Sequence, residues 1–204
     1  MGRKDLSDIR RQEIMEAFYR CLVKNGLEGC TISNIAKEAE VTPSLITHYF
    51  SDKQEMTLEL ARRILEMYEK MFFRQIEDIE DPRERLEKLL SGLFNDEYLT
   101  EDFVKAYISI IYRASRDEEV KRDMAKMYRR TYADLKKTLL EVAGPGNLDP
   151  GEAEKAAVLI TALQDGMSEL WFYDPRRVHP SIAQEMVRDY LDKILSGKPV
   201  KKKK

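Results

Sequence analysis

The sequence predicts an all-α fold of about nine helices, with an N-terminal helix-turn-helix head and a larger C-terminal helical part. Three observations carry this expectation. Apolar residues recur at three-and-four spacing along most of the chain, the period of one helical face. Only 9 glycines and 7 prolines occur in 204 residues, too few turn formers for a many-stranded β fold or a disordered chain. The composition, 43% hydrophobic and 35% charged, supplies a core under a well-solvated surface.

Residues 9–25 form the first predicted helix, with Ile14, Ala17, Phe18, Cys21 and Leu22 on one face. Asn25-Gly26 ends it, Gly26 being suited to the left-handed C-terminal position. Thr31 caps a second helix that turns Ile32, Ile35, Ala36 and Ala39 inward. Thr42 caps a third, and Pro43 follows at the first helical position, where its missing N–H costs nothing. Ser51 or Asp52 caps a fourth helix with the stripe Met56, Leu60, Ile64, Met67 and Met71. Asp81-Pro82 breaks the chain, and helices are expected near 82–95, 101–115 and 117–143. Gly144-Pro145-Gly146-Asn147 is the clearest loop. After it, 150–172 carries Ala156, Ile160, Leu163, Met167 and Leu170 on one stripe. A last helix near 180–195 carries Ile182, Met186, Tyr190, Leu191 and Ile194.

Segment 32–49 has the internal logic of a helix-turn-helix. Two short helices that cross closely need a small residue where they meet, and Ala36 supplies it. Val41 plugs the turn, and Ile46 and Tyr49 return to the core. Thr42, Ser44, Leu45, Thr47 and His48 are left to point outward, as a recognition helix requires if its N-terminal residues are to meet base edges.

The runs Thr31-Ile32-Ser33-Asn34-Ile35-Ala36, Val41-Thr42, His48-Tyr49-Phe50 and Asp52-Lys53 resemble the TetR family of transcriptional regulators. The likeness is specific over residues 9–60 and elsewhere lies in helical layout. Leu45 to Phe50 and Leu163-Gln164-Asp165-Gly166 resemble the choline-responsive repressor branch most. The resemblance implies phosphate contacts from Thr31, Tyr49 and Lys53, and major-groove positions for Thr42, Pro43, Ser44, Thr47 and His48. Two departures stand out. Glu40 occupies the turn position that is usually glycine, where a left-handed backbone costs a side chain about 1–2 kcal/mol, so the turn is either strained or shaped differently. Thr47 stands where many members carry tyrosine.

Charge sets a condition on DNA binding. Residues 1–53 hold eight basic and eight acidic side chains, so this head is not generically basic. Binding then needs Arg3, Lys4, Arg10, Arg11 and Lys53 gathered on one face, and a dimer to double the site. The whole chain carries −2, yet five lysines fall in the last seven residues, leaving an acidic body.

The expected organisation is a DNA-binding head at 1–50, a ligand-binding and dimerisation domain at 51–197, and a basic flexible tail at 198–204. The last two helices carry more apolar surface than one chain needs. Ala156, Ala157, Ile160, Leu163, Met167, Met186 and Tyr190 are the candidates for a homodimer interface, in the manner the family resemblance implies. Aromatic residues crowd the middle helices, among them Phe94 and Tyr98. By the same resemblance, Phe103, Tyr107, Tyr128, Asp165, Glu169 and Trp171 are the candidate lining of an effector pocket, either for a cation held by a carboxylate among aromatics or for a hydrophobic or amphipathic effector.

The chain therefore reads as a sequence-specific DNA-binding regulator, a dimeric repressor released from a palindromic double-stranded operator by a small-molecule effector. The alternative is a helical binding or scaffolding protein that keeps the fold without reading an operator. No cofactor, metal or enzymatic activity is expected: there is no glycine-rich phosphate loop or metal-type cluster, and the only histidines are His48 and His179. Cys21 and Cys30 lack metal or redox spacing and read as small buried hydrophobes. No apolar run approaches the 18–20 residues of a membrane helix, and the N-terminus has no signal-like apolar segment, so a cytoplasmic protein is expected.

Overall fold

The computed structural model describes residues 3–72, 74–95 and 100–196, giving the backbone alone for 3–5 and 71–72. The expected basic tail at 198–204 and Tyr98 lie outside the described residues, as do the side chains of Arg3, Lys4 and Met71. Among the described residues the chain forms nine helices and no strand: α1 (Arg3–Gly29), α2 (Ile32–Glu38), α3 (Pro43–Tyr49), α4 (Lys53–Phe72), α5 (Pro82–Leu93), α6 (Glu101–Ala114), α7 (Glu118–Ala143), α8 (Pro150–Tyr173) and α9 (Pro180–Leu195). No described helix is long and apolar enough to cross a membrane.

Packing divides the chain into two compact units. The first comprises Met1–Glu66 and Glu101–Met124, the second Met67–Thr100 and Ala125–Lys204. In the first unit α1 packs on α2 and α6, and α2 on α3. Its core joins Ile14, Ala17, Phe18, Cys21 and Leu22 of α1 to Ile35, Ala36, Ile46, Phe50, Met56 and Leu60, all essentially excluded from water. Each large apolar side chain so buried stabilises the fold by about 1.5–3 kcal/mol. Cys21 and Cys30 are buried free thiols, and burial pushes the Cys30 pKa up to about 12.

Helix α1 starts earlier than its periodicity implies. Its first turns expose Leu6 and Ile9, so no inward stripe marks them. The helix kinks at Gly26, whose φ of 66° and ψ of 171° favour glycine; a Cβ there would meet nothing within 4 Å, so the backbone and not the space selects it. One more turn leads to Thr31, which accepts the Asn34 N–H at 3.1 Å and caps α2.

In the second unit three helices begin alike. Asp81, Asp149 and His179 each accept a backbone N–H, with Pro82, Pro150 and Pro180 immediately after them. Its core includes Tyr68, Leu89, Leu90, Leu135, Leu139, Ala153, Ala156, Ala157, Ile160, Ala183, Val187 and Leu191. Ion pairs tie the helices at the surface: Arg85–Glu141 at 2.5 Å, Lys136–Glu154 at 2.6 Å and Arg188–Glu87 at 2.5 Å. Such half-exposed pairs contribute at most about 1 kcal/mol each. On the predicted apolar stripes Met67, Leu170, Ile182 and Met186 are exposed, Met186 being also a candidate for the dimer interface. Beside Met67, Ile182 and Met186 the buried places are taken by Tyr68, Ala183 and Val187.

Candidate DNA-reading surface and effector site

The turn between α2 and α3 is a Schellman motif. Val41 N donates to Ala36 O at 2.9 Å and Glu40 N to Lys37 O at 3.3 Å. This closure requires a left-handed residue at its hinge, and Glu40 adopts φ 56°, the one positive-φ non-glycine among the described residues. The turn keeps the geometry that glycine normally serves and carries the strain of a side chain. Thr42 then caps α3 through the Leu45 N–H at 3.3 Å, with Pro43 next in the helix.

This local arrangement sets the outward face of α3. Ile46 is fully buried and Leu45 and Tyr49 half-buried, while Thr42, Pro43, Ser44, Thr47 and His48 are exposed together. Leu45, expected outward, is partly drawn in. The Thr42 and Ser44 hydroxyls lie 3.0 Å apart, and Thr47 Oγ1 donates to Ser44 O at 3.0 Å. The His48 and Tyr49 rings meet edge to face at 5.2 Å. Hydroxyls in such short-range bonds can turn to base edges or phosphates without disturbing the core beneath them. Thr31, Ser33, Asn34 and Lys37 add exposed polar groups on and before α2. Of these, sequence reasoning singled out only Thr31.

The basic residues are deployed differently from the expectation. Arg11 does not join an outward cationic face. Its Nε donates to Glu59 at 2.9 Å, Nη2 to Glu55 at 2.8 Å and to Glu59 at 2.5 Å, and Nη1 to the Tyr49 carbonyl at 2.6 Å. Its guanidinium also lies 4.1 Å from the Phe50 ring centroid. Burial lowers the Arg11 pKa, but hydrogen bonds to Glu55 and Glu59 outweigh it and leave the group raised. The Arg11 hydrogen bond, helped by the Ser51 N–H and hydroxyl, holds Glu55 at about 2. Lys53 Nζ donates to the Leu27 carbonyl at 2.9 Å and is half-buried. Arg10 pairs with Glu13, and Arg20 and Lys24 with Glu38, whose pKa falls through hydrogen bonds from Lys24 and then Arg20. Partners 14 or more residues away in sequence claim most of these charges, which is why a count of basic residues misjudged them.

The expected effector residues fall in both units. Phe103 and Tyr107 belong to the first, where their rings stack with centroids 6.1 Å apart. Tyr128, Asp165, Glu169 and Trp171 belong to the second. There Tyr128 OH donates to Asp165 Oδ2 at 2.6 Å, and Tyr128 stacks on Tyr132 at 6.1 Å. Fully buried Tyr68 donates to Gln164 Oε1 at 3.1 Å. Asp165 Oδ1 is buried and has no hydrogen-bond partner among the described residues. Burial raises the Asp165 pKa to about 6, against the lowering effect of the Tyr128 hydroxyl. Glu169 is exposed and Trp171 half-buried, so Asp165, with Tyr68, Tyr128 and Tyr132 in its field, is the carboxylate set among aromatics. Tyr68 was missed because its helix reads as an ordinary amphipathic stripe. A separate cleft of about 240 Å³ is lined by Ile76, Glu77, Arg85, Arg130, Asp134, Lys137 and Thr138. It holds internal ion pairs, Arg130 reaching Glu77 at 3.0 Å and Glu69 at 3.3 Å, and none of the expected effector residues.

The expected dimer interface is corrected in part. Ala156, Ala157 and Ile160 are fully buried within the chain and present nothing to another copy. Leu163, Met167 and Tyr190 are half-buried, and Met186 is 55% exposed. The exposed apolar surface of α8 and α9 is made by Val158, Leu159, Leu170, Tyr173, Ile182 and Met186.

Comparison with known proteins agrees with this architecture. Residues 14–60 match the bacterial regulatory proteins of the tetR family, and residues 82–196 match the C-terminal part of BetI-type transcriptional repressors. The HTH-type transcriptional regulator BetI of Agrobacterium fabrum is 28% identical over 202 residues, covering 98% of this chain and 94% of the relative. A transcriptional regulator of Saccharomonospora viridis, solved in complex with choline, shares the fold at a TM-score of 0.78 and 22% identity, covering 91% of this chain and 96% of that one. AibR, solved with isovaleryl coenzyme A and operator DNA, does so at 0.64 and 20% identity, covering 87% and 96%.

Proposed function

Because the chain belongs to the TetR family of transcriptional regulators, its C-terminal part being of the BetI type, we propose that it is a dimeric cytoplasmic repressor that reads a palindromic operator through α3 and leaves it when a small cationic effector binds. The family makes it a DNA-binding regulator and not an enzyme. The proposal divides it into a reading head at 1–50 and a ligand-binding and dimerisation part at 51–197.

The observation that carries the reading is the face of α3. Thr42, Pro43, Ser44, Thr47 and His48 stand exposed on a helix anchored by a fully buried Ile46. Thr42, Ser44, Thr47 and His48 have the donors and acceptors that major-groove edges require. Thr31 and Tyr49 serve as phosphate contacts, and Lys53 joins them if it leaves the Leu27 carbonyl. A head with so many internally paired cations binds DNA weakly as a monomer, so two copies act together. Val158, Leu159, Leu170, Tyr173, Ile182 and Met186 form the two-fold contact on α8 and α9, with Leu163, Met167 and Tyr190 at its edge.

The effector reading rests on Asp165, whose Oδ1 is buried and has no hydrogen-bond partner among the described residues, with tyrosines around it. A quaternary or protonated amine meets both needs, through charge with Asp165 and through the ring faces of Tyr128 and Tyr132. Trp171, in the same unit, contributes further apolar lining and exposed Glu169 a flanking charge, whereas Phe103 and Tyr107 belong to the first unit and are left out of this reading. Choline, seen in the Saccharomonospora viridis relative, is the first probe. A mobility-shift titration with and without choline chloride tests the reading. Release of the operator by choline, lost in Asp165→Asn, supports it. Equal binding with and without any cationic amine refutes the effector part.

A further inference from the structure

Helix α3 has seven residues, too few to be stable alone, so its orientation depends on what holds its ends. At its N-terminus the holding group is the Thr42 cap. At its C-terminus it is Arg11 of α1. One guanidinium donates to the carbonyl of Tyr49, the last residue of α3, and to Glu55 and Glu59 on the first two turns of α4, while lying over Phe50 between the two helices. Glu55 in turn accepts from the Ser51 N–H at 2.8 Å and hydroxyl at 2.9 Å, fixing the first residue after Phe50. Glu59 also accepts from Arg63 at 2.7 Å. The chain Tyr49 carbonyl, Arg11, Glu55 and Glu59 thus joins the end of α3 to the start of α4 through the planar fork of one arginine.

We propose that Arg11 is the positioning residue of the reading head: it contacts no DNA, pins α3 to α4, and so sets the angle at which α3 meets the groove. The inference rests on reading α3 as the operator-reading helix. Lysine cannot replace it, because a single ammonium does not present parallel donors to a carbonyl and two carboxylates at once. Any displacement of α4 is passed to α3 through these bonds, and half-site spacing is the property that displacement changes.

Three readings of Arg11 separate in one set of measurements on the full-length protein and its Arg11→Met and Arg11→Lys variants. In the free protein, amide hydrogen exchange of residues 46–50 should quicken at least tenfold in both variants, with α8 and α9 unchanged. On a palindrome recovered by selection from random DNA, discrimination against the same half-sites moved by one base pair should fall at least tenfold. The slope of log affinity against log salt should stay as in the parent. A slope reduced by about 0.9 for each arginine removed would make Arg11 a phosphate contact and overturn the proposal. Full retention by Arg11→Lys, or unchanged exchange at 46–50 in a folded Arg11→Met, would overturn it equally. If Arg11→Met does not fold, Glu59→Gln takes its place, with the same direction of change expected. If selection yields no palindrome, the operator reading fails, while the exchange measurement still decides whether Arg11 pins α3.

Discussion

Replacing Glu40 with glycine removes a backbone strain without touching the core. Glu40 holds φ at 56° between two hydrogen bonds that close the α2–α3 turn, and its side chain is exposed. The left-handed backbone costs a residue with a Cβ about 1–2 kcal/mol. Glycine returns that energy but loses about 0.4–1 kcal/mol through the greater freedom of its unfolded chain. The net expectation is stabilisation by about 0.5–1 kcal/mol, which for a chain of this size raises Tm by about 1–4 °C. Urea unfolding at fixed protein concentration measures it, because dimerisation ties apparent stability to concentration. Glu40→Gln is the control: it removes the charge, keeps the Cβ, and should leave the urea midpoint unchanged. Both variants should bind DNA somewhat more tightly, since each removes a negative charge next to the reading helix. A destabilised Glu40→Gly beside an unchanged Glu40→Gln would refute the strain argument, for the glycine would then be losing something the backbone does not explain.

Thr47→Ala and His48→Ala should each lower preference for the best operator over single-base variants by about 1–3 kcal/mol, the discrimination one base-edge hydrogen-bonding group supplies, with Tm unchanged, as read by competition binding. Thr42→Ala removes the α3 cap and should cost about 1 kcal/mol of stability in urea unfolding. Asp165 has a folded pKa of about 6, above its ordinary value, so the folded state binds more protons than the unfolded one between about pH 4 and 6. Its contribution to stability therefore falls as pH rises through that window, and Asp165→Asn should be more stable than the parent at pH 7.5 by on the order of 2–3 kcal/mol, the gain vanishing near pH 4. Urea titrations at the two pH values check this. Met186→Glu places a charge on the exposed apolar face of α9 and should shift the protein to monomers in sedimentation experiments, with operator affinity lost.

Helix boundaries from α2 to α9 were largely legible because caps are local. A threonine, aspartate or histidine before a proline satisfies the first free N–H groups with atoms two or three residues away. The α3 face was legible for a related reason: a short helix anchored by Ile46 has few ways to point Thr42, Ser44, Thr47 and His48 anywhere but out. Arg11 and Lys53 were not legible. Nothing near Arg11 in sequence announces that Glu55, Glu59 and the Tyr49 carbonyl, 38 to 48 residues on, converge on it. Lys53 is likewise drawn to a carbonyl 26 residues back. The α8 surface was misassigned for another reason. That helix is apolar on several sides, so periodicity identifies apolar residues without separating Ala156 and Ile160, which the chain buries, from Val158 and Leu159, which it leaves exposed. Glu40 stands between these cases. Its residue type against the turn's need left two outcomes open, a strained turn or one of another shape, and its φ of 56° gives the strained one.

Selection of binding sites from random double-stranded DNA by the full-length protein at moderate salt tests the central claim most directly. The account predicts enrichment of a palindrome whose half-sites lose preference when Thr47 or His48 is replaced. Recovery of no enriched sequence, or of one that both replacements leave unchanged, would contradict it.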